Sequence, residues 1–159
     1  MDQKIQKVVI DCDPGIDDSL ALMLALSMEE IQVEAITIVC GNSPADMGFS
    51  NTKKVLKHMG RLDIPIYVGA ERPLKRDYVN ALDTHGADGL GESFLPEVPG
   101  YENSMTAQEF LKKRFVPGQE GGPCSVIALG AHDQSGPPAF GLSGNNPFHG
   151  PDRVHGRQL

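Results

Sequence analysis

Apolar residues along this chain come in short runs that close on polar residues or glycine, and longer segments of mixed character separate the runs. Lys7-Val8-Val9-Ile10-Asp11-Cys12-Asp13 is a compact apolar run ending in carboxylates, the pattern of a strand buried in a parallel sheet. Pro14-Gly15 interrupts it, and Asp17-Asp18 opens a predicted helix through Leu20, Leu22, Met23, Leu24 and Leu26. That helix is apolar nearly all round, which predicts burial on more than one side. A second strand is read over residues 33–40 and is closed by Gly41-Asn42. Ser43-Pro44 then starts a helix carrying Val55, Leu56 and Met59 and ending near Gly60. Ile64-Pro65-Ile66-Tyr67-Val68-Gly69 reads as a third strand, with its proline near the beginning. Strand and helix in alternation predict an α/β fold with a mostly parallel sheet flanked by helices.

Residues 70–104 are loop-rich and contain Thr84-His85-Gly86-Ala87-Asp88-Gly89-Leu90-Gly91. A helix is predicted over 106–115 with Phe110 and Leu111 inward, and Ser125-Val126-Ile127-Ala128-Leu129-Gly130 is a fourth strand. Beyond it the pattern stops. Residues 131–159 hold five Gly and four Pro but only three Leu, Ile or Val, with no helical or strand period. The reading is therefore an α/β domain over 1–130, incomplete, and a Gly/Pro-rich disordered tail over 131–159. His132, His149 and His155 fall in that tail without a scaffold to fix metal geometry and are given no ligand role.

Composition narrows the possible functions. The 159 residues carry 14 basic and 21 acidic side chains, a net charge of −7. This acidity argues against nucleic acid as a partner, because phosphate binding needs a concentrated basic surface. The longest apolar stretch, residues 20–28, is far too short for a bilayer span, so no membrane association is expected. Cys12, Cys40 and Cys124 are scattered and odd in number, the usage of buried thiols in a reducing compartment, and a cytoplasmic location follows.

The chemistry concentrates at the end of the first strand, where Asp11, Asp13, Asp17 and Asp18 place four carboxylates in eight residues. Asp11 and Asp13 project to the same side of a strand, and ligands of open α/β sheets gather outside the strands' carboxyl ends. No Lys or Arg occurs between Lys7 and Lys53. Carboxylates crowded this way raise one another's pKa, a conflict that a hard cation such as Ca²⁺ or Mg²⁺ removes. An N-cap role for Asp17 or Asp18 and a simple Asp13-Pro14-Gly15 turn would account for one or two of the four. Metal or sugar binding accounts for all of them.

The run Asp11-Cys12-Asp13-Pro14-Gly15-Ile16-Asp17-Asp18 resembles the N-terminal signature of the inosine-uridine preferring nucleoside hydrolases. Cys40-Gly41-Asn42, Val68-Gly69-Ala70, the loop from His85 to Gly91 and the fourth strand agree in order and spacing, so the resemblance covers residues 7–130. It implies the nucleoside hydrolase fold, with a Rossmann-like strand order, and homo-oligomeric assembly. It also implies Ca²⁺-dependent hydrolysis of the N-glycosidic bond of ribonucleosides to base and ribose. By motif position, Asp13 and Asp18 would ligate calcium together with the main-chain carbonyl of Leu129. Asp13 would also be general base toward a calcium-bound water attacking C1′. Asp17 and Asn42 would contact the ribose, His85 would line the substrate pocket, and Asp11 would support the site from behind. Cys12, Cys40 and His58 receive no catalytic role. The residue types suit the reaction, since negative charge stabilises an oxocarbenium-like state and a carboxylate beside a metal can take a proton from water.

The family's second half, with its ribose-gripping segment, leaving-group histidine and last calcium-ligating aspartate, has no counterpart here. After Gly130 the chain reads Ala131-His132-Asp133-Gln134-Ser135-Gly136 where the family continues with a Leu-Thr-Asn sequence. An alternative exon, a frameshift or a premature end is the simplest reading, and it predicts low turnover, an open sheet edge and uncovered apolar helices. Two other functions stay open: a non-catalytic fragment that binds calcium or a ribosyl ligand or pairs with another subunit, and a phosphohydrolase of the haloacid dehalogenase type. The last ranks lowest, because Gly15 stands where that family has Thr or Val.

Overall fold

The computed structural model describes residues 5–73, 77–101, 103–115 and 122–130. The tail predicted over 131–159 lies outside the described residues. The elements run β1 (Gln6–Cys12), α1 (Ile16–Ser27), β2 (Ile31–Ile38), α2 (Ala45–His58), β3 (Ile66–Val68), α3 (Leu82–His85), α4 (Ala107–Phe115) and β4 (Ser125–Ala128). The four strands form one sheet in the order β3-β2-β1-β4, with every pairing parallel. β1 is therefore interior, flanked by β2 and β4, and its C-terminal end opens between two neighbours.

The core explains why the strands read as apolar runs. Val8, Ile10, Cys12, Ile36, Ile38 and Ile66 from the sheet pack with Leu22 and Ala25 of α1 and Val55 and Leu56 of α2. Burying a side chain of this size contributes about 1.5–3 kcal/mol, so these contacts, rather than helix propensity, hold the layers. α4 starts with a reciprocal cap: the Thr106 N–H donates to Glu109 Oε2 (2.9 Å) and the Glu109 N–H to Thr106 Oγ1 (3.3 Å). Phe110 stacks on Tyr67 of β3 with ring centroids 4.2 Å apart, while Leu111 is only half-buried. Glu34 on β2, between Arg114 of α4 (2.8 Å) and Lys7 of β1 (3.2 Å), ties the helix to the N-terminal end of the strands.

Four expectations need correction. α1 is buried on one face only, through Asp18, Ser19, Leu22 and Ala25, whereas Leu20 and Leu24 are 61% and 65% exposed. An apolar surface commits a helix to a second contact only when a second element is present, and among the described residues none covers this face. The third strand is shorter than its pattern, because Pro65 cannot donate to the ladder and the strand starts only at Ile66. The loop-rich region contains one helical turn, α3, that no periodicity announced. β4 is half-buried, at an outer position of the sheet, although its sequence resembles that of an interior strand.

Candidate functional site

Pro14-Gly15 stops β1 and lets the chain turn directly into α1, so two carboxylates from opposite sides of the turn meet. Gly15 occupies the N-cap position without a side-chain cap, and Asp17 and Asp18 lie inside the first turn of the helix. Asp18 Oδ2 accepts the backbone N–H of Asp13 at 2.9 Å. Asp13 in turn accepts the Asn42 N–H on Oδ2 at 2.7 Å, from the loop that leaves β2. The two aspartates are 5% and 6% exposed. Gly130 follows β4 on the other flank, close enough that a methyl group on it would meet Asp13 Oδ1 at 3.3 Å. This brings the 129–130 backbone against the same carboxylate; the Leu129 N–H itself donates to the Asp11 carbonyl at 2.7 Å.

The electrostatics follow from burial. Desolvation pushes Asp18 up to about 6, against the Asp13 N–H and with the charges of Asp13 and Asp17 adding to it. Asp13 is also raised by desolvation, against the Asn42 N–H, and the two carboxyls lie close enough to share a proton. Among the described residues neither has a Lys or Arg within ion-pair distance. An oxygen-only pair in a low-dielectric crevice, without a neutralising side chain, suits a hard cation. Among the described residues no group of three His, Cys, Asp or Glu side chains is arranged to hold a metal, so the pair by itself could offer only part of a coordination shell.

The remaining site residues from the sequence are distributed unevenly. Asp11 accepts Thr37 Oγ1 at 2.6 Å from the neighbouring strand, behind Asp13. Asn42 Nδ2 donates to the Asp13 carbonyl at 3.3 Å, so its side chain braces the turn. Asp17 is 75% exposed. His85 is 12% exposed and lies over Gly15; its Nδ1 accepts the Ile16 N–H at 3.2 Å and stands 4.0 Å from Asp17 Oδ1. Cys12 is fully buried and hydrogen-bonds the Thr37 carbonyl, and burial beside Asp18, Asp11 and Asp13 pushes its thiol up, away from nucleophilic use. Cys40 is equally buried, while Cys124 is only half-buried, short of the burial expected for all three thiols.

Gly41, Thr37 and Tyr78 belong to this neighbourhood without having been singled out. Gly41 was legible as a strand terminator, but its contact with Asp13 depends on the β1–β2 register. Tyr78 gave no signal. Its hydroxyl is buried without a hydrogen-bond partner among the described residues, and burial followed by the fields of Cys40, Asp13 and Asp46 pushes it up to about 12. A cavity of about 800 Å³ opens there, between Pro44, Asp46, Glu71 and Tyr78.

The chain has clear relatives. A family model for inosine-uridine preferring nucleoside hydrolases matches residues 8–132. Pyrimidine-specific ribonucleoside hydrolase RihA of Citrobacter koseri is 40% identical over 123 residues, covering 77% of this chain and 39% of the relative; its Salmonella typhimurium counterpart is 38% identical over the same coverage. Among solved structures, a plant nucleoside hydrolase superposes with a TM-score of 0.71 at 33% identity, covering 81% of this chain and 41% of its own. An inosine-guanosine nucleoside hydrolase gives 0.67 at 30% identity, with 77% and 39% covered. The chain thus spans about two-fifths of the length of the relatives it matches.

Proposed function

Because the chain belongs to the inosine-uridine preferring nucleoside hydrolase family, we propose that it carries the calcium-binding and water-activating side of a site that hydrolyses the N-glycosidic bond of ribonucleosides. The observation that carries this reading is the Asp13–Asp18 pair, buried together and without a neutralising side chain among the described residues. Asp13, Asp18 and the Leu129 carbonyl would hold the ion. When bound, Ca²⁺ supplies Lewis acidity toward water and the ribose hydroxyls. Asp13 would take the proton of the water that attacks C1′, a role supported by the burial that makes its carboxylate more basic. Asp17, the exposed carboxylate of the turn, would accept a hydrogen bond from a ribose hydroxyl. Asn42 would act on the sugar and also through Asp13, which it holds by both backbone and side chain. Asp11 would keep its supporting position behind Asp13 through Thr37.

No helix among the described residues is long and apolar enough to cross a membrane, and the three scattered cysteines, which form no disulfide with one another, fit a reducing, cytoplasmic setting. Assembly as a homo-oligomer would cover the outer leucines of α1. A second reading, binding of calcium or a ribosyl ligand without turnover, is favoured by the small number of acidic ligands among the described residues.

Calorimetric titration with Ca²⁺ and Mg²⁺, paired with a reducing-sugar assay on uridine and inosine, tests both readings. Calcium binding that disappears in Asp18→Asn, with sugar release, supports hydrolysis. The same binding without sugar release supports the second reading. No calcium heat in the wild-type chain sinks the first reading and the calcium arm of the second.

A further inference from the structure

His85 is placed differently from a residue that only lines a pocket. Its imidazole rests on Gly15, where even a methyl group would come within 2.6 Å of Nδ1, so the glycine is the clearance that admits the ring. Nδ1 accepts the N–H of Ile16, the first residue of α1, one of the donors that a helix start leaves unpaired. The helix has no side-chain cap of its own. His85 therefore supplies from 69 residues away what a capping residue would supply locally.

The segment that carries His85 is built to hold it there. The Ala81 N–H donates to the Asn42 carbonyl at 2.9 Å, anchoring the start of α3 beside Asp13. The His85 N–H donates back to the Ala81 carbonyl at 2.9 Å, and the His85 carbonyl accepts the Gly91 N–H at 2.7 Å. Between them the chain winds round Asp88, whose carboxylate collects the N–H groups of Leu90, Glu92 and Phe94 at 2.8–2.9 Å. Gly86, Gly89 and Gly91 take positive φ, the left-handed conformation that favours glycine. Asn51 of α2 fastens the loop to the body of the fold through the Asp88 carbonyl at 3.0 Å.

We propose that His85 is a positioning residue: it fixes the start of α1, and through it the spacing of Asp13 and Asp18, by holding its ring in the tautomer protonated at Nε2. A neutral imidazole has one donor and one acceptor nitrogen, and the hydrogen bond at one nitrogen decides the state of the other. With Nδ1 committed to Ile16, any contact with a nucleoside uses Nε2–H as donor, so the matching substrate atom is an acceptor. The inference rests on the reading of Asp13 and Asp18 as metal ligands, but its first test does not.

Two-bond ¹H–¹⁵N correlation of the metal-free chain should show His85 protonated at Nε2 with Nδ1 as an acceptor; an Nδ1–H tautomer overturns the proposal. His85→Phe keeps the ring on Gly15 but removes the acceptor, whereas His85→Asn places Oδ1 near the position of Nδ1. Exchange of the Ile16 amide should quicken about tenfold or more in the Phe variant and return toward wild type in the Asn variant. Unchanged exchange in His85→Phe, with β1 and β2 amides protected in both proteins, also overturns it. Calcium affinity should follow the same order, falling about tenfold or more in His85→Phe and recovering in His85→Asn, as for loss of a group that orients a ligand. Equal affinity in all three proteins removes the link to the metal. A wild-type chain that shows the Nε2–H tautomer and the Ile16 effect but no calcium heat refutes the metal reading while leaving the cap in place.

Discussion

Gly41 lies directly under the Asp13 carboxylate, so close that a methyl group built on it would stand 2.5 Å from Cγ and closer still to Oδ2. The same oxygen accepts the neighbouring Asn42 N–H. A side chain at position 41 and the observed orientation of Asp13 exclude each other. Gly41→Ala should therefore turn Asp13 out of place and weaken calcium binding by at least about tenfold. Overpacking should cost about 1–3 kcal/mol of stability, so the chain should still fold. Calorimetry and thermal unfolding of the same sample check both effects; calcium binding at wild-type strength would show that Asp13 is not a ligand.

Asp18 predicts opposite pH trends for the metal-free and calcium-loaded chain. Burial raises it from the ordinary value of 3.8 to about 6, so the folded state keeps the proton over a range where the unfolded state has lost it. Its contribution to metal-free stability is complete below the ordinary carboxylate value and is lost as pH rises through about 6. Calcium binding needs the charged form, so affinity should fall as pH drops below the same point. Unfolding scans in a chelator and calcium titrations at about pH 5 and about pH 7 should move in opposite directions. Parallel movement would mean that Asp18 titrates without meeting the metal.

Thr37 reaches Asp11 at 2.6 Å from the adjacent strand and is itself fully buried. Thr37→Val keeps the shape and removes the donor, leaving a half-buried carboxylate short of one hydrogen bond. A loss of about 1–3 kcal/mol in stability is expected. If Asp11 only supports the site, calcium affinity should drop less than in Asp18→Asn. A drop as complete as that of Asp18→Asn would make Asp11 a direct ligand.

The interior of the sheet and the two carboxylates were legible because they obey local rules. Val8-Val9-Ile10 and Ile36-Thr37-Ile38 are apolar runs that only a sheet covered on both faces can bury, and the Asp-rich turn follows one of them within a few residues. Thr37 opposite Asp11, Gly41 under Asp13 and His85 over Gly15 are relationships between distant segments, set by strand register and loop docking. No period or spacing in one segment encodes them. Leu20 and Leu24 misled for a related reason: an apolar helix face reports that a partner is suitable, not that one is present among the residues described.

Asp88 gives the sharpest local prediction, because one carboxylate organises a loop that has no regular hydrogen-bond ladder. Burial opposes its charge, but the N–H groups of Leu90, Phe94 and Glu92 and the Ser93 hydroxyl outweigh that effect and hold it at about 2. A group lowered in this way contributes stability that is present above the ordinary carboxylate value and is lost as pH falls through about 2. Asp88→Asn keeps one acceptor oxygen for Leu90 and Glu92 and turns the other into a donor facing the Phe94 N–H. The loop should loosen by about 1–2 kcal/mol while the sheet, held by its own core, stays as it is. Hydrogen exchange resolved by residue separates the two: Leu90, Glu92 and Phe94 should exchange faster, and β1 and β2 should not. Because His85 enters this loop and its carbonyl is tied to Gly91, the Ile16 amide should also lose part of its protection. If Ile16 keeps full protection while the loop opens, the imidazole is held by Gly15 and α3 alone, and Asp88 organises the loop without placing the cap.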